Sequence, residues 1–298
     1  MSSITETTRR TFLRSMTTNL VLAPLALQAY GGRQRKAPFL VVSDTHLGRS
    51  DNSAAAEQWK KTAAELGKAA GDLVLHLGDI VDGGREPQYA IYKEIRDKIK
   101  KPVHEIPGNH DPLELFEKHI RQPIDTVVDH DWLRILLLGN ARVDSHDGFL
   151  TAAQLKWIDE HCADAAARGR YVILCMHVPA HANGHPDRGW YVKPADGQQG
   201  LYEIVTRHQQ HILALFHGHF HNGIRGWDDH APVHEILFPS ALYNQDRELE
   251  QQAPGYNLPE FRPGFMQVTI EEGRMSLNYH MTGRQDAVKK RLEQKQLQ

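Results

Sequence analysis

Residues 39–46 read Phe-Leu-Val-Val-Ser-Asp-Thr-His, an apolar run that ends abruptly in polar residues. The apolar part holds an aromatic and two β-branched side chains, which is typical of a strand buried on both faces. Asp44 and His46 follow at once, and carboxylates and imidazoles are common metal ligands. A buried strand that ends in Asp-x-His predicts a polar site at the edge of a sheet.

The same arrangement recurs along the chain, because further apolar runs are followed at once by Asp, Asn or His. These runs predict strands at Leu73–Leu77, Val103–Ile106, Tyr171–Met176 and Ile212–Phe216. The polar residues that follow them are Asp79 and Asp82, Asn109 and His110, His177, and His219 with His221. Because the carboxyl ends of strands in α/β sheets meet at one edge, we expect these side chains in a common cleft.

Strand-like and helix-like runs alternate in the remainder of the chain, which indicates an α/β domain. Further strands are predicted at Leu133–Leu138, Glu235–Phe238, Phe265–Ile270 and Met275–Tyr279. Helices are predicted at Ala54–Ala70, Pro87–Lys100, Pro112–His119, Thr151–Arg168, Leu201–His208 and Asp286–Gln298. The second half holds more strands than intervening helices, so two packed sheets flanked by helices fit better than one parallel sheet.

The composition excludes several classes of protein. The chain has 298 residues, 40% of them hydrophobic, which is ample for a packed core and excludes wholesale disorder. Only 2 residues are cysteines, too few for a disulfide scaffold, and we expect Cys162 and Cys175 to be buried free thiols rather than a disulfide. The 35 basic and 37 acidic residues argue against a broad nucleic-acid-binding surface.

The N-terminus predicts an export signal. Arg9 and Arg10 precede the apolar stretch Leu20–Ala29, an order that resembles a twin-arginine signal. The stretch is too short for a permanent membrane span, so we expect cleavage near Ala29, export through the twin-arginine translocase, and a periplasmic or secreted product. The predicted organisation is a signal peptide at 1–29, a short linker at 30–37 and one domain at 38–298. The alternative is an amphipathic first helix or a tail with a chance arginine pair.

The predicted donor set at the strand ends is too large for one metal ion. A zinc site takes at most four protein ligands, whereas two metals that share a carboxylate would use the whole set. The donors are oxygens and imidazoles without a cysteine, which favours iron, manganese or zinc, as divalent or trivalent ions.

The ordered motifs, taken together, resemble the calcineurin-like metallophosphoesterase superfamily across almost the whole chain after the signal. The motifs are Asp44-x-His46, Gly78-Asp79, Gly108-Asn109-His110-Asp111, His177 and Gly218-His219-x-His221. The resemblance implies an α/β four-layer sandwich, with two central mixed β-sheets flanked by helices and a dinuclear metal centre.

The resemblance also implies a role for each motif residue. It assigns Asp44, His46 and His221 to one metal ion, and Asn109, His177 and His219 to the other. Asp79 would bridge the two ions. His110 would approach the phosphate and the leaving oxygen, and Asp82 would pair with His110 as its acid partner.

The implied function is an exported phosphoesterase that uses a hydroxide activated by two metal ions. The runs Asp-Thr-His-Leu-Gly at 44–48 and Gly-Asp-Ile-Val-Asp-Gly at 78–83 resemble the bacterial branch with cyclic-nucleotide and glycerophosphodiester phosphodiesterases. This favours a phosphodiesterase acting on a small molecule. The alternatives are a phosphomonoesterase with the same site and a non-catalytic protein that binds metal or a phosphoryl ligand. A nuclease or a zinc hydrolase of amides fits less well.

Other residues could be over-interpreted. We expect His76 to be a core histidine and His104 to point away from the site, because each lies within a predicted strand. The segment Pro179–Gly200 is predicted to be a long functional loop, with His181, His185, Asp187 and Arg188 on a solvated face and substrate contact as the alternative. Substrate specificity is expected to reside in this loop and in Trp227–Asp246.

Overall fold

The first strand of the domain, Lys36–Val42, shows how the two-sided apolar run is used. In the computed structural model, which describes residues 36–49, 52–181, 192–226, 232–271 and 274–294, its side chains alternate between two cores. Phe39 and Val41 face one apolar cluster, while Leu40 and Val42 face another. A strand buried on both faces needs apolar residues at every position, which explains the unbroken run.

The remaining elements follow in the alternating order expected from the sequence. The strands are β1 Lys36–Val42, β2 Val74–His76, β3 Val103–Glu105, β4 Thr126–His130, β5 Leu133–Leu138, β6 Tyr171–Met176, β7 Ile212–His217, β8 Arg225–Gly226, β9 His234–Leu237, β10 Gly264–Glu271, β11 Arg274–Met281 and β12 Ala287–Glu293. The helices are α1 Asn52–Lys68, α2 Glu86–Arg96, α3 Leu113–His119, α4 Ala152–Ala167, α5 Gln198–Arg207 and α6 Glu248–Gln252, with a short 3₁₀ helix at Leu258–Phe261.

Two mixed sheets form the centre of the fold. Within the described residues, one has the strand order β12-β11-β10-β1-β2-β3 and the other has the order β4-β5-β6-β7-β9-β8. Neighbours among β1, β2 and β3, and among β5, β6, β7 and β9, are parallel, whereas the remaining pairings, including β1 with β10, are antiparallel. The prediction of two mixed sheets is therefore confirmed.

Three apolar clusters define four layers. The largest lies between the sheets and includes Val41 from the first sheet and Phe216 from the second. Trp59 of α1 and Tyr92 of α2 pack on the outer face of the first sheet. Ile158 of α4 packs on the outer face of the second sheet with α5. The order is helices, sheet, sheet, helices, as the family resemblance implies.

The C-terminal helix predicted at Asp286–Gln298 is wrong. Residues Ala287–Glu293 form strand β12, which pairs antiparallel with β11. Val288 and Leu292, four residues apart, lie on one face in either a helix or a strand, and here they pack on the core between the sheets. Lys290 lies between them and makes a salt bridge of 3.0 Å to buried Glu260. This salt bridge to Glu260, a residue distant in sequence, stabilises the strand in place of the predicted helix.

Smaller differences concern the ends of the domain and the connections. Strand β1 begins at Lys36, two residues before the predicted domain boundary, and the signal predicted at 1–29 lies outside the described residues. Strands β4 and β8 and helix α6 were not expected from the sequence. All described residues fall within one unit, residues 34–298. In the described part of the chain, no helix has the length and apolar character needed to cross a membrane.

The cysteines match the expectation of free thiols. Cys162 and Cys175 are both buried and unbridged. Cys162 lies in the cluster beneath α4, whereas Cys175 faces the core between the sheets. Strand β6 therefore separates the two side chains, and burial raises the pKa of the Cys162 thiol to about 12.

The packing between the sheets predicts a large cost for truncating Phe216. Its ring is fully buried, with its centroid 6.3 Å from Phe39 of the other sheet and 4.8 Å from Phe238. We expect Phe216→Ala to lower the free energy of unfolding by about 3–5 kcal/mol, because a cavity would remain between two rigid sheets. Urea denaturation measures the change. Leu258→Ala, at a side chain that is 46% exposed, serves as control, and equal effects of both variants would contradict the packing argument.

Candidate metal centre

The structure brings six of the seven metal-ligand candidates together, and the seventh, Asn109, follows Gly108, whose backbone lies against Asp79. Three groups have donor atoms that all lie within 4.8 Å of one another: Asp44, His46, Asp79 and His221; Asp79, His177 and His219; and, at the edge of the cluster, His46, Asp82 and His110. The seven metal-ligand candidates are all buried. They follow β1, β2, β3, β6 and β7, as the rule for strand ends predicts.

Asp79 is common to the first two groups. One oxygen, Oδ2, lies 3.5 Å from Nε2 of His46 and 3.2 Å from Nε2 of His177. The other oxygen accepts a hydrogen bond of 2.9 Å from the backbone N–H of His110. A single carboxylate oxygen between two sets of imidazoles is the geometry required for a bridging ligand.

Three of the four imidazoles, those of His46, His177 and His221, are oriented by hydrogen bonds from their outer nitrogens. Nδ1 of His177 donates to the carbonyl oxygen of Leu77 at 2.6 Å, and Nδ1 of His221 donates to that of Tyr243 at 3.0 Å. Nδ1 of His46 bonds the Asp82 carboxylate at 3.0 Å. Each partner leaves Nε2 directed at the cluster, which is how proteins orient histidines that bind metals.

Two observations show that these residues fit metal ions. Nε2 of His46 and Nε2 of His221 lie 3.1 Å apart, so two imidazole nitrogens aim at the same point. The Oδ1 atom of Asn109 is buried and has no hydrogen-bond partner among the described residues. A buried amide oxygen without a donor is costly unless a cation satisfies it. Together with the family resemblance, the buried His and Asp groups indicate a dinuclear metal centre.

The charges in the cluster compensate one another. Burial acts to raise the pKa of Asp79, but the positive field of His177 and its hydrogen bond outweigh this and hold the pKa well below its usual range. Burial likewise acts to raise the pKa of Asp44, but the charge of His221 and its hydrogen bond outweigh this, so the pKa is lowered. Burial acts to lower the pKa of His177, but Asp79 raises it to about 9. Burial lowers the pKa of His46 and of His219, which favours neutral imidazoles.

The backbone around the cluster adopts uncommon conformations. Positive φ occurs at residues that are themselves ligand candidates, namely Asp44, His46, Asp79, His219 and His221. Gly108 has another role, because a Cβ there would lie 2.1 Å from Oδ1 of Asp79. The sequence indicated glycines at tight turns, but the strain lies mainly on the ligand residues, and Gly108 permits close approach of two loops.

His110 and Asp82 lie beside the buried cluster and are partly exposed. Nδ1 of His110 donates to the backbone carbonyl oxygen of Asp82 at 2.7 Å, while the Asp82 carboxylate is 3.9 Å away. That carboxylate instead bonds His46 and accepts from Arg49 at 3.2 Å. The expected pairing of His110 with Asp82 therefore runs through the main chain, and the side chain of Asp82 orients His46.

Arg49 and His146 lie near the site and were not expected from the sequence, whereas Tyr243 falls in the segment Trp227–Asp246 that was expected to carry specificity. The guanidinium of Arg49 lies 4.3 Å from the ring centre of Tyr243, and that ring in turn lies 4.4 Å from the ring of His221. On the other side, the His146 ring lies 5.8 Å from the His219 ring. None of these side chains belongs to a ligand motif, so only the folded chain reveals their contacts.

The remaining histidines partly follow expectation. His76 is buried, bonds Thr45 at 3.0 Å, and burial lowers its pKa to about 3, which confirms a core histidine. His104 is half-buried on β3 and away from the ligand groups. The expectation of a solvated face for His181 is wrong, because it is buried and pairs with Glu235 at 2.7 Å. The other polar residues of that loop, His185, Asp187 and Arg188, lie outside the described residues.

Asp111 braces the two loops that carry Asp79 and His110. Its buried carboxylate accepts backbone N–H groups from Gly108 at 2.9 Å, Ile80 at 3.0 Å and Val81 at 3.2 Å. The hydroxyl of Tyr89 donates to it at 3.0 Å. Burial, with the nearby charge of Asp79, raises the pKa of Asp111 to about 6.

Asp111→Asn should therefore loosen the site. The amide group can accept at only one atom, so at least one buried N–H would lose its partner, and we expect a loss of about 2–4 kcal/mol in the free energy of unfolding. Chemical denaturation of the metal-free proteins measures this. Tyr89→Phe removes only one donor and should cost about 1 kcal/mol. An Asn variant as stable as the wild type would contradict the bracing role.

Comparisons with known proteins agree with this geometry. A probable cyclic nucleotide phosphodiesterase of Rhodopseudomonas palustris is 26% identical over 265 residues, which is 80% of this chain and 90% of that protein. The glycerophosphodiester phosphodiesterase GpdQ of Enterobacter lignolyticus is 26% identical over 163 residues, 51% of this chain and 56% of that protein. A solved dimetal phosphatase from Danio rerio shares the fold, with a TM-score of 0.63 and 14% identity over 85% of this chain and 98% of that one.

The model of the calcineurin-like phosphoesterase family matches residues 37–223. This range is more than half of the chain, and it contains every ligand candidate together with His110 and Asp82. The chain therefore belongs to the calcineurin-like phosphoesterase family and is a hydrolase acting on phosphoester bonds.

Proposed function

We propose that the chain is an exported phosphodiesterase with a dinuclear metal centre. Asp44, His46 and His221 would hold one metal ion, Asn109, His177 and His219 would hold the other, and Asp79 would bridge them. When bound, two such ions would neutralise charge on the phosphoester oxygens and lower the pKa of a water nucleophile. The ions would be iron, manganese or zinc, since the donors are oxygens and imidazoles.

The observation that carries this proposal is the shared position of Asp79. Its Oδ2 atom lies within 3.5 Å of an imidazole nitrogen from each ligand group. A site for one metal would not need a carboxylate in contact with two separate sets of ligands.

His110 is positioned to act on the leaving group. Its Nδ1 atom is occupied by the Asp82 carbonyl, so Nε2 is the atom left for the substrate. As water attacks phosphorus, the P–O bond to the leaving alcohol breaks and its electron pair goes to the oxygen. The imidazolium form of His110 would give that oxygen its proton.

Asp82 would act by positioning other residues. Its carbonyl oxygen fixes the tautomer of His110, and its carboxylate fixes the ring of His46. Replacement of the carboxylate alone should therefore affect the metal group more than the proton transfer.

The substrate class follows from the relatives. The two relatives described above are named as phosphodiesterases. The one that aligns with this chain over more of its length, 90%, is a probable cyclic nucleotide phosphodiesterase. This supports a small-molecule phosphodiester as substrate, with a cyclic nucleotide or a glycerophosphodiester as the two candidates.

Export rests on the sequence of residues 1–29, where Arg9 and Arg10 precede an apolar stretch. We propose the twin-arginine translocase as the partner and the periplasm or the exterior as the destination. Replacement of both residues by Lys should leave the full-length chain in the cytoplasm of a bacterium that has this translocase. Fractionation followed by immunoblotting measures the outcome, and continued export of the variant would contradict the proposed route.

Metal content and hydrolysis test the catalytic proposal together. We expect about two metal ions per chain by elemental analysis. Bis-p-nitrophenyl phosphate should be hydrolysed faster than p-nitrophenyl phosphate, and chelation should abolish both reactions. Faster hydrolysis of the monoester would instead indicate a phosphomonoesterase. Absence of bound metal would overturn the proposal.

His110→Ala separates a catalyst from a binding protein. Loss of the proton donor should lower kcat for the diester by about 10²–10⁴-fold while the metal content stays at the wild-type level. His161→Ala is the control, because His161 lies on α4 against Trp157. Undiminished kcat in the His110 variant would show that another group protonates the leaving oxygen.

A further inference from the structure

A cavity of about 370 Å³ adjoins the metal centre on the side of His110. Asp82 and His110 line it from the first sheet, together with Gly84 and Pro112. Val143 and His146 line it from the connection between β5, a strand of the second sheet, and α4. The cavity thus spans both halves of the domain, and it exceeds what a phosphoryl group alone would need.

The connection that carries Val143 and His146 is fixed in place. The buried Asn140 side chain donates to the carbonyl oxygen of Val178 at 2.7 Å and accepts from its N–H at 3.1 Å. Val178 directly follows the ligand candidate His177, so this connection is joined to the metal centre. Asp147 accepts a further hydrogen bond of 2.8 Å from the N–H of Lys193. A wall anchored by hydrogen bonds on both sides of Val143 and His146 can select the shape of a ligand.

The side chains of Val143 and His146, which line this wall of the cavity, differ in polarity. Val143 is apolar and 59% exposed. His146 is exposed as well, and its ring lies 5.8 Å from that of His219. A pocket that combines an apolar contact with the polar rings of His110 and His146, and whose volume falls in the range of about 300–1,000 Å³, is typical of sites for small organic groups.

We propose that this cavity binds the leaving alcohol of the phosphodiester and that Val143 and His146 determine which alcohols fit. The assignment rests on the proposed function, since His110 lines the cavity and would protonate the leaving oxygen. The volume accommodates a compact alcohol that contains a ring. Val143 contacts the apolar face of that ring, and His146 contacts its polar edge.

Two probes isolate the cavity from the metal centre. Phenylphosphonate and methylphosphonate share the anionic head and differ in the ring, and calorimetry on the metal-loaded full chain measures both without turnover. We expect the wild type to bind phenylphosphonate more tightly. In His146→Ala, which removes a wall, and in Val143→Trp, which fills space, this preference should fall about fivefold, with methylphosphonate binding and metal content near wild type.

Kinetics provide the second measurement. The KM for bis-p-nitrophenyl phosphate should rise about fivefold in both variants, with a much smaller change in kcat. His130→Ala is the matched control, because His130 lies on β4 and pairs with Asp72. This control should match the wild type in all measurements.

The outcomes separate the two proposals. If the wild type hydrolyses neither ester, the proposed function fails. If it hydrolyses the diester but both variants keep the wild-type ring preference and KM, only the assignment of the cavity fails. Reduced ring preference in both variants, with unchanged methylphosphonate binding, supports the assignment.

Discussion

The carboxylate of Asp79 between two groups of imidazoles is the interaction on which the arrangement of the site depends. A buried carboxylate is stable only when opposite charge or hydrogen bonds surround it. Here His177 lies 3.2 Å away, and the backbone N–H of His110 donates to the other oxygen. Both sheets must therefore deliver their strand ends to the same point, and the core between them holds these ends in register.

The local backbone is strained to meet this requirement. Asp44, Asp79 and His219 have positive φ, a conformation that costs about 1–3 kcal/mol for residues other than glycine. Hydrogen bonds between loops offset this strain: the N–H of Asp44 donates to the carbonyl of Gly78, and the carboxylate of Asp111 joins the two loops that follow β2 and β3. Short polar side chains tolerate this region better than branched ones, which is consistent with Asp and His at these positions.

The two sheets contribute different groups to the active region. The first sheet contributes Asp79, Asp82 and His110, whereas the second contributes His177 and the wall with His146. The chemistry and the contact with the organic group thus meet at the seam between the sheets. Such an arrangement lets the wall vary without any change in the metal ligands.

Much of this protein can be predicted from the sequence because its signals are local. Each apolar run that ends in Asp, Asn or His marks both a strand and a ligand candidate, so the cluster around Asp79 and the two-sheet fold follow from the motifs. Features that depend on distant partners do not. β12 depends on its pairing with β11 and on Glu260, and the carboxylate of Asp82 bonds His46 rather than His110. His181 is buried because Glu235 lies beside it, and His146 reaches the site through a connection far away in sequence. The sequence by itself determined which residue types stand at the strand ends, whereas only the tertiary structure decided which side chains contact one another, because those contacts join residues that the chain order keeps apart.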